Sequence, residues 1–86
     1  MHTVELLEQA IEFAERLGYR MREEWLGGSG GGACELKGQK WIFIDLALNP
    51  VEQLDQVAQA LRHDPSIHLF DVPRPLHRLL DVRRVA

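Results

Sequence analysis

Residues Gly27-Gly28-Ser29-Gly30-Gly31-Gly32 place five glycines within six positions, just before Ala33 and the single cysteine, Cys34. Backbone this bare brings peptide amides close to a ligand, a second backbone or an anion, and ordering it costs conformational entropy. The stretch therefore offers amides, carbonyls and shape, with Ser29 as its one polar side chain between Leu26 and Glu35. Trp25, Gly28, Ser29, Gly30, Gly31 and Gly32 form the candidate binding set. A phosphate cradle is a poor fit, because Gly28-x-Gly30-x-x-Ala33 leads into a strand-like run and no Gly-Lys-Ser/Thr occurs.

Cys34 has the chemistry of a nucleophile, yet the histidines that would activate it, His2, His63, His68 and His77, are scattered. Between Ala33 and Leu36 it reads as a small hydrophobe in a strand. With no histidine pair four apart and no Cys-x-x-Cys, neither a metal nor a cofactor is expected. One cysteine also excludes a disulfide within the chain.

The elements that position these residues follow from periodicity. Val4, Leu7, Ile11 and Ala14, with Leu6, Ala10, Phe13 and Leu17, recur at helical spacing opposite Glu5, Glu8, Glu12 and Glu15, and Gly18 ends the run. Tyr19–Leu26, Ala33–Lys37 and Lys40–Leu46 then alternate with period two, with Gly38-Gln39 as a turn, which predicts a three-stranded antiparallel meander. The third strand is apolar on both faces as far as Ile44, so it belongs in a central or doubly covered place. Asn49, Pro50 and Glu52 mark a capped second helix with Val51, Leu54, Val57, Ala58 and Leu61 as its buried stripe, ended by His63-Asp64-Pro65. Ile67–Phe70 reads as a short extended segment, and Pro73-Arg74-Pro75 opens a terminal helix carrying Leu76, Leu79 and Leu80. The fold class is α/β (α+β), a single small domain over residues 1–86.

Composition narrows the functional classes. Apolar residues make up 45% and charged residues 27%, the balance of a globular protein whose core is small enough to make self-association unsurprising. No apolar run reaches bilayer length and Met1-His2-Thr3-Val4-Glu5 lacks a basic signal region, so a cytoplasmic protein without a membrane partner is expected. A net charge of −3 weighs against nonspecific phosphate binding by the whole surface. Arg74, Arg78, Arg83 and Arg84 nevertheless gather near the C-terminus, and with Arg20 and Arg22 they are the residues that would contact nucleic acid.

The order helix, three strands, helix, extended segment resembles the core of PD-(D/E)xK nucleases, in which acids on neighbouring strands hold a divalent metal and a lysine follows the last acid by two. Here Asp45 is followed by Ala47, and Glu35-Leu36-Lys37 lies one strand early, so the resemblance implies at most a degenerate, nucleic-acid-associated relative. Leu17-Gly18-Tyr19, Arg22-x-Glu24, Gly30-Gly31-Gly32-x-Cys34-x-Leu36-x-Gly38, Phe43-x-Asp45, Glu52-Gln53 and Pro73-x-Pro75 together also resemble a group of small bacterial proteins of no assigned activity. The residues thus point to a non-enzymatic module that self-associates or binds a protein through a sheet edge or the terminal helix. Trp25, Leu26, Trp41, Phe70 and Leu76 are its exposable apolar residues, and nucleic-acid association is the alternative.

Overall fold

The amphipathic pattern of the first segment becomes α1 (Thr3–Arg16), which buries Ala10, Phe13 and Ala14. In the second, Asn49 accepts from the Glu52 amide while the Glu52 carboxylate accepts from the Asn49 amide. This reciprocal cap starts α2 (Pro50–Arg62), whose buried residues are Leu54, Val57, Ala58 and Leu61. Between the helices run β1 (Tyr19–Glu24), β2 (Gly32–Leu36) and β3 (Gln39–Asp45). The computed structural model describes residues 2–28 and 30–81.

The sheet order is β1-β3-β2, with β1 parallel and β2 antiparallel to β3. The expected antiparallel meander is therefore replaced by a mixed sheet, in which the chain leaves β1, passes the C-terminal end of β3 and returns as β2 on the far side. Only β2 and β3 form a hairpin. Their two-residue turn, Lys37 at φ +52° and Gly38 at φ +77°, has both central residues left-handed, as a type I′ turn requires. The central place expected for the third strand is where it lies.

Residues paired across a sheet share a face, so Tyr19, Ile42 and Ala33 lie on one side and Arg20, Trp41 and Cys34 on the other. Helices α1 and α2 pack on each other and on the first side, burying Tyr19, Ile42 and Ile44 among Phe13, Leu54, Val57 and Leu61. The described residues measure 43 × 34 × 17 Å between Cα atoms. That thin dimension is what one helix layer on one sheet layer gives.

Two C-terminal expectations are corrected. Ile67–Phe70 forms no strand; Pro65–Leu69 is a 3₁₀ helix capped by Asp64, with Ile67 buried. In place of the terminal helix there is a 3₁₀ turn, Arg74–Leu76, followed by turns to Asp81, which itself has φ +52°. Pro73 and Pro75, two prolines within three residues, lack the amide donors a helix start would use and hold this stretch to a short 3₁₀ turn. Leu76 and Leu80 still reach the core, so Leu76 is buried rather than available to a partner. Val51, counted in the stripe of α2, is 62% exposed.

Leu61→Ala is expected to cost about 2–5 kcal/mol, because it empties a fully buried site, whereas Val51→Ala should stay within about 0.5 kcal/mol of wild type. Urea midpoints of the two variants measure this, and a Leu61→Ala midpoint equal to wild type would refute the packing.

Candidate functional site

Asp45 ends β3 as the one buried charged residue among those described. Its Oδ1 accepts from the Leu26 amide (3.0 Å) and the Ala47 amide (2.9 Å), and its Oδ2 from the Gly28 amide (2.7 Å). The glycine-rich connection does cradle an anion, and that anion is the protein's own carboxylate. Burial alone would raise the Asp45 carboxyl, but the amides of Ala47, Leu26, Gly28 and Gly30 outweigh it and hold the group below its ordinary 3.8.

Gln56, reaching from α2, completes the arrangement. Its Nε2 donates to the Gly30 carbonyl (2.8 Å) and its Oε1 accepts from the Asp45 amide (3.3 Å). A Cβ on Gly31, where φ is +99°, would stand 2.6 Å from Gln56 Nε2 and 2.9 Å from the Phe43 carbonyl. Gly31 is thus required by close backbone approach.

At the opposite end of the sheet a second aspartate ties the strands to the C-terminal segment. Asp64 Oδ2 accepts from the Tyr19 hydroxyl (2.7 Å) and the Lys40 ammonium (3.0 Å), and Oδ1 accepts from the Ser66 amide and hydroxyl. Burial opposes the charge here too, but Ser66, Tyr19 and Lys40 pull the carboxyl well below 3.8. Burial, the hydrogen bond to Asp64 and its negative charge push the Tyr19 phenol above its ordinary 10.0. Among the described residues no buried side-chain nitrogen or oxygen lacks a partner.

Among the described residues no helix packs on the other side of the sheet. Trp41 and Phe43 stand there half-buried with near-parallel rings 6.1 Å apart, and Arg20 places its guanidinium 5.7 Å from the Trp41 ring centre. Leu36, 54% exposed, and half-buried Cys34 flank them on β2. Arg22, ion-paired with Glu24, continues the basic strand.

The candidate residues therefore divide. Gly28, Gly30 and Gly31 are brought together over Asp45 and Gln56, in a structural role. Gly32 opens β2. Ser29 lies outside the described residues. Trp25, just beyond β1, is 76% exposed, which excludes it from the core. Arg20 and Arg22 share the bare face, Arg74 and Arg78 are exposed in the C-terminal turns, and Arg83 and Arg84 lie outside the described residues. Sequence reasoning named Trp41 as exposable and the third strand as apolar on both faces, but did not join Trp41 with Phe43 in the candidate binding set, although their period-two spacing opposite Ile42 and Ile44 carried the signal. It also weighed Asp45 as a metal ligand, whereas the structure turns that carboxylate onto backbone amides.

Among the described residues no three His, Cys, Asp or Glu side chains are grouped to hold a metal, and no helix is long and apolar enough to cross a membrane. Glu35 lies opposite Lys40, and Lys37 sits in the hairpin turn, so this acid and lysine do not meet Asp45 as a nuclease centre requires. Comparison of the chain with known protein families, with curated proteins and with solved structures found no match in any of the three.

The titrating groups set a pH window. The two depressed carboxyls contribute stability that is present above about pH 4 and lost as pH falls through their lowered folded values, while Tyr19 contributes stability present below about pH 10 and lost above it. Thermal midpoints should be flat between these limits and fall outside them. Asp45→Asn, which turns an amide donor toward backbone donors, should lower the midpoint at pH 7. A wild-type midpoint for that variant would contradict the clamp.

Proposed function

We propose that this domain is a non-catalytic self-association module whose bare sheet face packs against the same face of a second copy. The observation that carries the reading is the position of Trp41 and Phe43 on the central strand, on the side no helix covers. A central strand apolar on both faces calls for a layer on each, and among the described residues the helices supply one. A second copy provides the other, giving helix, sheet, sheet, helix, with the two sheets about 10 Å apart.

Charge layout favours a second copy as the occupant. A two-fold axis parallel to the strands sets β3 over β3, and it sets Arg20 and Arg22 of each copy over the uncharged Gly32, Cys34 and Leu36 of the other. No like charges meet. Single-stranded nucleic acid could also stack on exposed aromatics beside arginines. The net charge of −3 and the pairing of Arg22 with Glu24 weigh against it.

Sedimentation equilibrium should give a mass near twice 9.9 kDa at micromolar concentration. Leu36→Glu and Trp41→Arg, which change the face without touching the helix side, should each return a folded monomer by circular dichroism. A wild-type monomer at every concentration overturns the proposal, and a monomer that binds a fluorescent oligothymidine through Trp41 assigns the face to nucleic acid instead.

A further inference from the structure

Helix α2 packs on β2 and β3 while α1 packs on β1, and on the helix side of the edge strand β2 the Ala33 side chain stays exposed. A cavity of about 370 Å³ lies there, between α2 and the sheet. Tyr19, Gly31 and Ala33 are on its sheet side, and Gln56, Gln59 and Ala60 on its helix side. A second cavity of about 190 Å³, lined by Glu35 and Lys40, shares Tyr19 and Ala33 with the first, which makes one continuous groove. We propose that this groove binds a small uncharged nucleoside, with its base against α2 and its sugar beside Glu35. The groove is on the opposite side of the sheet from Trp41 and Phe43, so the proposal does not rest on the self-association reading.

The gap is built from both sides. On the helix side of the sheet β3 presents Ile42 and Ile44 to the core, whereas β2 presents Ala33 opposite Ile42 and, two positions earlier, Gly31. Facing them, Gln56, Gln59, Ala60 and His63 recur at the spacing of one helix flank, while Leu54, Val57, Ala58 and Leu61 of the same helix close the core. Small residues on the strand and amides on the helix keep the two layers from closing over β2. The strand wall is therefore nearly bare peptide, against which a flat ring can lie closely.

The lining excludes some ligand classes and selects another. Lys40 is the one lysine or arginine among the described lining residues, and its ammonium is already bonded to Asp64. A phosphate would meet the Glu35 and Asp64 carboxylates with no free lysine or arginine to balance it. Apolar lining amounts to two alanines and the Tyr19 ring, too little to hold a purely apolar ligand. The Gln59 carboxamide is exposed and bonds no described residue, so it keeps a donor and an acceptor side by side. Glutamine reads adenine with that pair, and cytosine and uracil offer the same adjacent donor and acceptor. Glu35 is likewise exposed and unbonded among the described residues, and its carboxylate accepts from sugar hydroxyls as an acidic residue does in dinucleotide-binding folds. Gln56 has a different part, because the Gly30 carbonyl and the Asp45 amide hold its carboxamide as a fixed wall. Ligand sites span roughly 300–1,000 Å³, and a cavity at the small end suits one nucleoside.

The test titrates the intact protein with adenosine, cytidine and uridine while its amide shifts are followed by NMR. At least one nucleoside should give saturable shifts confined to residues 31–36 and 56–63. Its 5′-monophosphate and its free base should each bind about tenfold more weakly or worse. Gln59→Ala and Glu35→Gln alter exposed side chains and should each weaken binding by about fivefold or more, the second by erasing the preference for nucleoside over free base. Ala33→Ile fills the junction of the two cavities with a residue that suits a strand, so it should abolish binding while circular dichroism shows the native fold. Absence of saturable shifts with all three nucleosides overturns the proposal, as does binding that Gln59→Ala, Glu35→Gln and Ala33→Ile all leave intact. A monophosphate or a free base that binds as tightly as the nucleoside overturns it too, and so do shifts centred on Arg20 and Trp41, which would assign the ligand to the opposite face.

Discussion

The Asp45 carboxylate is the constraint on which this topology depends. A chain that leaves β1 and must return on the far side of β3 crosses the end of the sheet, where the amides of Leu26 and Gly28 turn toward the buried Asp45 carboxylate. Unpaired, each such amide would cost about 1–3 kcal/mol. A buried carboxylate at the last position of β3 accepts from Leu26 and Gly28 on the crossing segment and from Ala47 on the exit toward α2. One side chain thereby fixes both the way into β2 and the way out of β3. Gln56 adds the helix to the same knot by bonding the Gly30 carbonyl and the Asp45 amide.

The sheet is thus tied at both ends by an aspartate, with different consequences. At the C-terminal end the donors are amides, and what is held is the path of the backbone. At the other end Asp64 gathers side chains, Tyr19 from β1, Lys40 from β3 and Ser66 from the 3₁₀ helix, so the segment after α2 is fastened to the strands with only 3₁₀ turns among its described residues. The Asp64 tie lies on the helix side with Tyr19 and Lys40, whereas Asp45, opposite Glu24, has the strand parity of Trp41 and Phe43. Beyond the clamp, no helix among the described residues covers the side where the arginines of β1 and the aromatics of β3 stand.

The helices were legible in the sequence because their determinants are local. Asn49, Pro50 and Glu52 specify a start by side-chain chemistry, and the start falls at Pro50. The strands were legible as strands from their alternation, but alternation says which face a residue takes and nothing about which strand lies beside it. Seven connecting residues, 25–31, reach up to about 25 Å, so they close a hairpin or step over a strand equally well. What decides between the two is the contact between Asp45 and amides 17 and 19 residues earlier. Such a contact leaves no periodic trace. The C-terminal misreading has a different cause, since Leu76, Leu79 and Leu80 look like a helical stripe whether or not the segment is long enough to nucleate.

The glycine run changes meaning in this light. Its amides at Leu26 and Gly28 are taken by Asp45 and the Gly30 carbonyl by Gln56, while a side chain at Gly31 would collide with the Phe43 carbonyl. Groups already committed inside the fold are not free to recognise a ligand from outside it. The surfaces that remain are those the crossing creates. By carrying β2 past β3 it puts the most apolar strand in the centre, leaves that strand's second face without a helix among the described residues, and sets β2 at the edge. A meander from the same residues would have put the arginine-bearing β1 and the apolar β3 on opposite sides of β2. Arg20 would then not stand over Trp41, and the glycine-rich edge would be enclosed between its neighbours. The place of Trp41 and Phe43 beside Arg20 follows from strand order, and strand order is held by one buried carboxylate.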